Sequence, residues 1–329
     1  MKTERMFKVN NNLVDPELFM YNPPLTKRSD FDEFWEETIE KTKGVDLNPK
    51  RILYPYPSPH VTVYSISYNG FDDTRIHGWL IIPNFVKKEK LKCIIHYHGY
   101  TGSAGVPSDF MYWSMMGIAV ISIDCRGQSG RTGNSMKYTS GATQSVVCMG
   151  VLNKYEYYFR AVYMDCIKAI DFACIQEEID ESGIIIEGES QGGAIGMAVC
   201  ALDSRPCLAM VDVPSNSNIE ERIKGVNGSF SAVTEYLQIH PDKINKVFET
   251  LSYFDTMNMA DKITCKMLAS AALKDDVCPA RMYFATYNRI NAPKEIKLYP
   301  FNGHEGGGML HREYKLVFLR ENLNNSLFN

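Results

Sequence analysis

Short apolar runs alternate with stretches of helical periodicity from residue 93 to the C-terminus. Runs at 93–98, 118–123, 184–187, 208–213, 267–273 and 295–299 are continuously rather than alternately hydrophobic, as strands covered on both faces require. Helical spacing fits the segments between them, at 159–175, 191–202, 279–290 and 313–323. Strand and helix in this order predict an α/β fold with a mostly parallel, doubly wound sheet. Upstream the pattern differs. Residues 61–67 and 76–82 read as two strands joined by a polar turn over 69–74, a hairpin expected at the sheet edge. Ser29-Asp30 before Phe31-Asp32-Glu33-Phe34-Trp35 joins a capping signal to apolar residues at helical spacing, so an amphipathic helix is expected over 31–39. Residues 214–262 break the alternation with polar and helical material and no strand. They read as a cap-like insertion over the C-terminal edge of the sheet, where such segments shape pockets.

No linker or low-complexity stretch divides the 329 residues, so one domain over 1–329 is expected, with an N-terminal extension of about 1–50. A net charge of −4 and a pI near 6.0 give no general attraction to phosphate backbones or anionic bilayers. Neither nucleic acid nor a membrane is therefore expected as a partner, and the basic cluster at 87–90 is diluted by Glu89. Residues 1–12 lack the apolar core of a secretory signal, and eighteen uncharged apolar residues nowhere run together, so a cytoplasmic location is expected. Nine cysteines, an odd number without a Cys-x-x-Cys pair, suit reduced, buried thiols better than disulfides or a zinc site.

The candidate chemistry centres on Gly188-Glu189-Ser190-Gln191-Gly192, between the strand ending Ile184-Ile185-Ile186 and the following helix. A serine on so sharp a strand-to-helix turn is held exposed in a strained backbone conformation, and only glycine fits two residues to either side. Ser190 is thus the candidate nucleophile. A hydroxyl is a weak nucleophile near neutral pH, so a histidine must take its proton and a carboxylate must fix that histidine's tautomer. On this kind of sheet the three follow in the order serine, acid, histidine. The strand over 267–273 runs into Lys274-Asp275-Asp276, at the strand end where open α/β sheets place their sites. Asp275 lies nearer the strand and is favoured; Asp276 has the alternative of capping the helix near Pro279. His304, in a glycine-rich loop after the last strand, is the candidate base, whereas His311 reads as the start of the final helix. For the oxyanion the backbone N–H of Gln191 is one expected donor, and that of Tyr100, in His98-Gly99-Tyr100-Thr101-Gly102, the other. His96 and His98 stand at strand spacing without a carboxylate or cysteine at ligand spacing, so each reads as a packed or loop histidine, and no metal or other cofactor is expected. Tyr157, Tyr158 and Phe159 read as core.

Three motifs extend this picture: Arg126-Gly127-Gln128, Gly188-Glu189-Ser190-Gln191-Gly192-Gly193 and His304-Glu305. Together with Tyr157-Tyr158-Phe159-Arg160, Leu251-Ser252-Tyr253-Phe254-Asp255 and Asp276-Val277-Cys278-Pro279, they make the chain resemble family 7 of the carbohydrate esterases, the acetyl xylan esterases and cephalosporin C deacetylases. The resemblance runs from the 31–35 segment to the C-terminus. It implies an α/β-hydrolase fold, removal of acetyl groups from short xylo-oligosaccharides and other small acetyl esters, and a hexamer whose sites face an inner cavity. It also implies roles for Ser190, Asp275 and His304, with Tyr100 and Gln191 at the oxyanion. Arg126 and Gln128 are read as supports of the site, an arginine of this kind holding loops by bidentate hydrogen bonds. Glu305, beside the base, reads equally as its orienter or as a solvated loop acid. The chain departs from the family pattern at Glu189, where a small residue is usual, at Ala272, and over 129–149.

Overall fold

The computed structural model describes residues 15–87, 90–141, 145–225 and 227–323. The readings made for residues 1–12, and for Lys88 and Glu89 of the basic cluster, fall outside these. After a short 3-10 turn at Pro16–Met20 comes helix α1 (Phe31–Lys43), whose Phe31, Phe34, Trp35 and Thr38 recur at three- and four-residue intervals and are all buried. Strands β1 (Lys50–Tyr54), β2 (Val61–Asn69), β3 (Arg75–Pro83) and β4 (Leu91–Tyr97) follow, then α2 (Met111–Met115) and β5 (Ala119–Ile123). The second half comprises α3 (Tyr158–Cys174), β6 (Ile179–Glu189), α4 (Gln191–Leu202), β7 (Leu208–Asp212), α5 (Ile219–Arg222), α6 (Ser231–Ile239), α7 (Ile244–Ser252), β8 (Lys266–Ala272), α8 (Ala280–Tyr287), β9 (Lys294–Tyr299) and α9 (Gly308–Asn322).

Among the described residues these strands form one nine-stranded sheet in the order β1-β2-β3-β5-β4-β6-β7-β8-β9. The β1/β2, β2/β3 and β3/β5 pairs are antiparallel and the rest parallel, which is the α/β architecture read from the sequence. Because side chains alternate along a strand, the continuous runs feed two cores at once. Ile94, Val120, Ile185, Met210 and Leu268 pack on one face with Trp113 of α2 and Phe318 and Leu319 of α9. Ile95, Ile121, Ile186, Ala209 and Val211 pack on the other with α1, α3, α4 and α8, where Tyr157, Tyr158 and Phe159 are fully buried.

The hairpin β2/β3 does not form the edge. Strand β1 pairs outside it, and the sequence hid that strand because its apolar residues Ile52 and Leu53 are 67% and 65% exposed and so leave no one-sided pattern. The last helix begins at Gly308 rather than near 313, and the helix after Pro279 spans Ala280–Tyr287 only. Residues 214–262 contain α5, α6 and α7, and no strand among those described. The buried carboxylate of Asp255 ties this segment together by accepting the backbone N–H groups of Asn218, Ile219 and Met257. Seven of the nine cysteines are buried.

Candidate active site

Ser190 sits between β6 and α4 with φ 58° and ψ −115°, a left-handed conformation that an L-residue adopts only under constraint. Its backbone N–H is held by the carbonyl of Asp212 at 2.8 Å. The flanking glycines are required by contact. A Cβ on Gly192 would lie 1.8 Å from the carbonyl oxygen of Tyr97, and one on Gly188 would lie 2.5 Å from the backbone of Gly192. The turn therefore packs too tightly on β4 for any side chain at these two positions.

The structure brings Ser190, His304 and Asp275 together. Nε2 of His304 lies 3.0 Å from the Ser190 hydroxyl, and Nδ1 lies 2.9 Å from Oδ2 of Asp275. A carboxylate can only accept, so Nδ1 carries the proton and Nε2 is left with the lone pair facing the hydroxyl. That is the arrangement in which an imidazole removes a serine proton. The other oxygen of Asp275 accepts the backbone N–H groups of Val277 and Cys278 at 2.9 and 2.8 Å, which fixes the carboxylate in a turn at the end of β8. Asp276 points elsewhere: it is exposed and accepts from Asn227. It caps no helix, since α8 starts after Pro279 without a side-chain cap. Glu305 accepts from the Asn302 side chain and the Gly303 N–H, bracing the turn before His304 without touching the ring.

The loop after β4 stands over Ser190. His98 pins it, with Nδ1 donating to the Gly99 carbonyl at 2.7 Å and Nε2 accepting the Cys125 N–H at 2.9 Å. Neither the Tyr100 nor the Gln191 backbone N–H has an acceptor among the described residues, so both donors remain unspent beside the serine. Gln128 links the two. Its Oε1 accepts the N–H of Thr101 at 2.7 Å, and its Nε2 donates to the Tyr158 hydroxyl at 2.9 Å and to Oε1 of Gln191 at 3.0 Å. Arg126 lies wholly buried beneath, forked onto Asp165 at 2.6 and 2.7 Å and paired with Asp72 at 2.9 Å. Its carbonyl accepts the Tyr158 hydroxyl at 2.6 Å, so the arginine supports the tyrosine that supports Gln128.

A cavity of about 480 Å³ opens on the serine, lined by Tyr100, Ser190, Arg222, Gly228, Val277 and His304 among others. Residues 10–322 match the acetyl xylan esterase (AXE1) family model.

The chain belongs to the acetyl xylan esterase family.

Individual relatives of the family agree with that placement. An acetyl xylan esterase from Paenibacillus sp. R4 superposes with a TM-score of 0.90 at 36% identity, over 93% of this chain and 98% of that one. Acetyl xylan esterase 1 from Thermoanaerobacterium sp. JW/SL YS485 gives 0.88 at 26% identity, over 95% and 98%. The curated acetyl esterase Axe7A of Xylanibacter ruminicola is 25% identical over 293 residues, 85% of this chain and 64% of that protein. The chain thus spans 64% of the length of this curated relative.

Three features of this family member escaped the sequence reading. First, Cys278 lies with its sulfur 3.9 Å from the Ser190 hydroxyl, and burial pushes its thiol upward, away from thiolate. Second, α9 is bolted to the strands behind the serine. Lys315 pairs with both Asp212 and Glu187, the latter at 2.6 Å; His311 contacts Asp212 at 2.8 Å and the Tyr299 hydroxyl at 2.8 Å; and His96 meets Glu187 at 2.5 Å. Burial alone would raise the Glu187 carboxyl, but Lys315 and His96 outweigh it and hold it at about 2. His311 and Lys315 stand four residues apart, one face of a helix, which was the available signal. Third, Arg222 reaches the pocket from the inserted segment.

Proposed function

We propose that this protein is a serine esterase that removes acetyl groups from small carbohydrate esters, such as acetylated xylo-oligosaccharides, and accepts cephalosporin C as a related acetyl ester. Ser190 attacks the acetyl carbonyl while His304 accepts its proton, and Asp275 steadies the imidazolium that forms. The N–H groups of Tyr100 and Gln191 receive the developing oxyanion. Collapse expels the alcohol, which takes the proton back from His304, and leaves an acetyl-enzyme. Water activated by the same imidazole then releases acetate. Arg126 and Gln128 act through others, holding the oxyanion loop against α4. The reading extends to one domain over 1–329 whose residues 214–262 serve as a cap, a cytoplasmic location and a homo-hexameric assembly.

The observation that carries this reading is the unbroken contact from Asp275 through His304 to Ser190, at 2.9 and 3.0 Å. Ser190→Ala is expected to abolish hydrolysis of a chromogenic acetate with the circular dichroism spectrum unchanged. Substantial residual turnover would refute the assignment. Acetate, butyrate and octanoate esters compared in the same assay test the acyl preference, the longer two being expected to react poorly.

A further inference from the structure

Arg222 is 7% exposed and lines the cavity that opens on Ser190. Among the described residues its guanidinium meets neutral acceptors only: the Ser215 hydroxyl at 2.7 Å, the Val277 carbonyl at 2.7 Å and the Cys278 sulfur at 3.5 Å. Its face lies 4.9 Å over the ring of Phe230, and Nε has no partner among the described residues. No carboxylate among those residues pairs with it. Two other buried cations meet carboxylates, Arg126 with Asp165 and Asp72 and Lys315 with Glu187 and Asp212, whereas Arg160 and Lys168 are held, like Arg222, on neutral acceptors, the Thr38 hydroxyl and Tyr155 carbonyl for the first and the Val45 carbonyl for the second. Of these three, Arg222 alone lines the cavity that opens on Ser190.

An arginine cannot discard its proton, and a buried cation without a counter-ion is destabilising by several kcal/mol. The protein retains that charge beside Cys278, whose sulfur also touches the Ser190 hydroxyl at 3.9 Å. The reaction's own oxyanion does not account for it, since the unspent N–H groups of Tyr100 and Gln191 already serve that position. Because Arg222, unlike Arg160 and Lys168, lines the cavity on Ser190, a negative charge on an entering molecule reaches it there. The exposed carboxylate of Glu189 on the cavity wall disfavours an anion on its own side and leaves Arg222 as the seat.

We propose that, among the esters it accepts, this cavity favours those that also carry a carboxylate over their neutral counterparts, with Arg222 as the residue that recognises the carboxylate. The proposal rests on the reading of Ser190 as the nucleophile of an esterase. Guanidinium and carboxylate match as a planar fork, so the Nη groups facing the cavity, together with some relaxation at Nε, supply a directional contact rather than a diffuse field.

The test uses the full chain and two matched substrate pairs, which locate the charge. 4-Acetoxybenzoate against 4-acetoxybenzamide places it on the alcohol part, and monoethyl succinate against ethyl butyrate places it on the acyl part. With uncatalysed rates subtracted, kcat/KM for the charged member of at least one pair is expected to exceed that of its neutral partner by about tenfold or more, as for a charge-assisted contact. The preference should vanish in Arg222→Met and survive in part in Arg222→Lys. Taking the ratio within each variant cancels any general loss of activity. A wild-type ratio near unity in both pairs, or a ratio untouched by Arg222→Met, overturns the proposal. Should Arg222→Met not fold, inhibition of the wild type decides: succinate must inhibit neutral-ester turnover more strongly than succinamide, and equal or weaker inhibition overturns it. A wild type that hydrolyses none of the four esters, nor any simple acetate, sinks the esterase reading itself and is distinguishable from failure of the Arg222 assignment.

Discussion

Replacing Gln128 with alanine removes a side chain that ties the loop bearing Tyr100 to Gln191. Four bonds go: the 2.7 Å contact to the Thr101 N–H, the 2.9 Å contact to Tyr158, and the 3.0 and 3.3 Å contacts with the Gln191 amide. Each neutral bond is worth about 1 kcal/mol net, and since Thr101 is exposed and regains water, a stability loss of about 1–2 kcal/mol is expected. Catalysis should suffer more than stability. Deleting an oxyanion donor outright costs about 10²–10³ in kcat, and loosening two donors without deleting either should cost about 10–100-fold. KM should stay within about threefold, because the donors act on the transition state more than on the bound ester. Initial rates with a chromogenic acetate give kcat and KM, a thermal melt gives the stability term, and the labelling rate with a fluorophosphonate should fall in parallel, because its phosphoryl oxygen occupies the same donors. Gln128→Glu sharpens the test: a carboxylate still accepts from Thr101 and from Nε2 of Gln191 but cannot donate to Tyr158 or to Oε1 of Gln191, so it should restore only part of the activity. A Gln128→Ala enzyme with a lowered melting temperature but kcat within about twofold of the wild type would show that the residue fastens the loop for stability alone, and the positioning argument would be wrong.

The acid at β8 can be tested by comparing neighbours. Asp275→Asn should lower kcat by about 10³–10⁴ through loss of the correct histidine tautomer, whereas Asp276→Asn, altering an exposed side chain, should stay within about twofold; similar losses in both would contradict the assignment. The charge network under α9 makes a prediction about acid stability. Glu187 is held at about 2 against an ordinary 4.5, so its contribution is full above 4.5 and is lost as pH falls toward 2. Lys315→Met removes the cation shared by Glu187 and Asp212, leaving only His96 and His311 beside these buried carboxylates, at a cost of about 3–5 kcal/mol. Its acid-unfolding midpoint, followed by circular dichroism, should therefore move to higher pH, and an unmoved midpoint would refute the account.

Local physics made much of this protein legible in its sequence. Strands buried on both faces carry runs of apolar residues, so β4, β5, β7 and β8 could be read within a residue or two, whereas β6, read over 184–187, begins five residues earlier at Ile179 through the polar Asp180-Glu181-Ser182. Ser190 was readable because its turn tolerates only glycine at 188 and 192, a constraint written within five consecutive residues. His304 followed from chain order and the glycines around it. Strand β1 was invisible because Ile52 and Leu53 face outward, and an edge strand held by its ladder to β2 needs no one-sided pattern. The choice between Asp275 and Asp276 turned on which carboxylate reaches two backbone N–H groups and a ring delivered by a distant loop, and one step along a turn reverses that direction. Arg222 shows the same limit. In sequence it is an arginine in a polar insertion, indistinguishable from a solvated one, and only packing against Phe230, Val277 and Cys278 reveals a charge buried without a carboxylate. The sequence by itself determined which segments form strands and helices and which short turn presents a hydroxyl, because those depend on neighbours along the chain. Tertiary structure alone decided which carboxylate meets the imidazole and which charges lie paired or unpaired, because Coulombic and hydrogen-bond energies depend on distance in space and on the exclusion of water, neither of which is written in the spacing of residues.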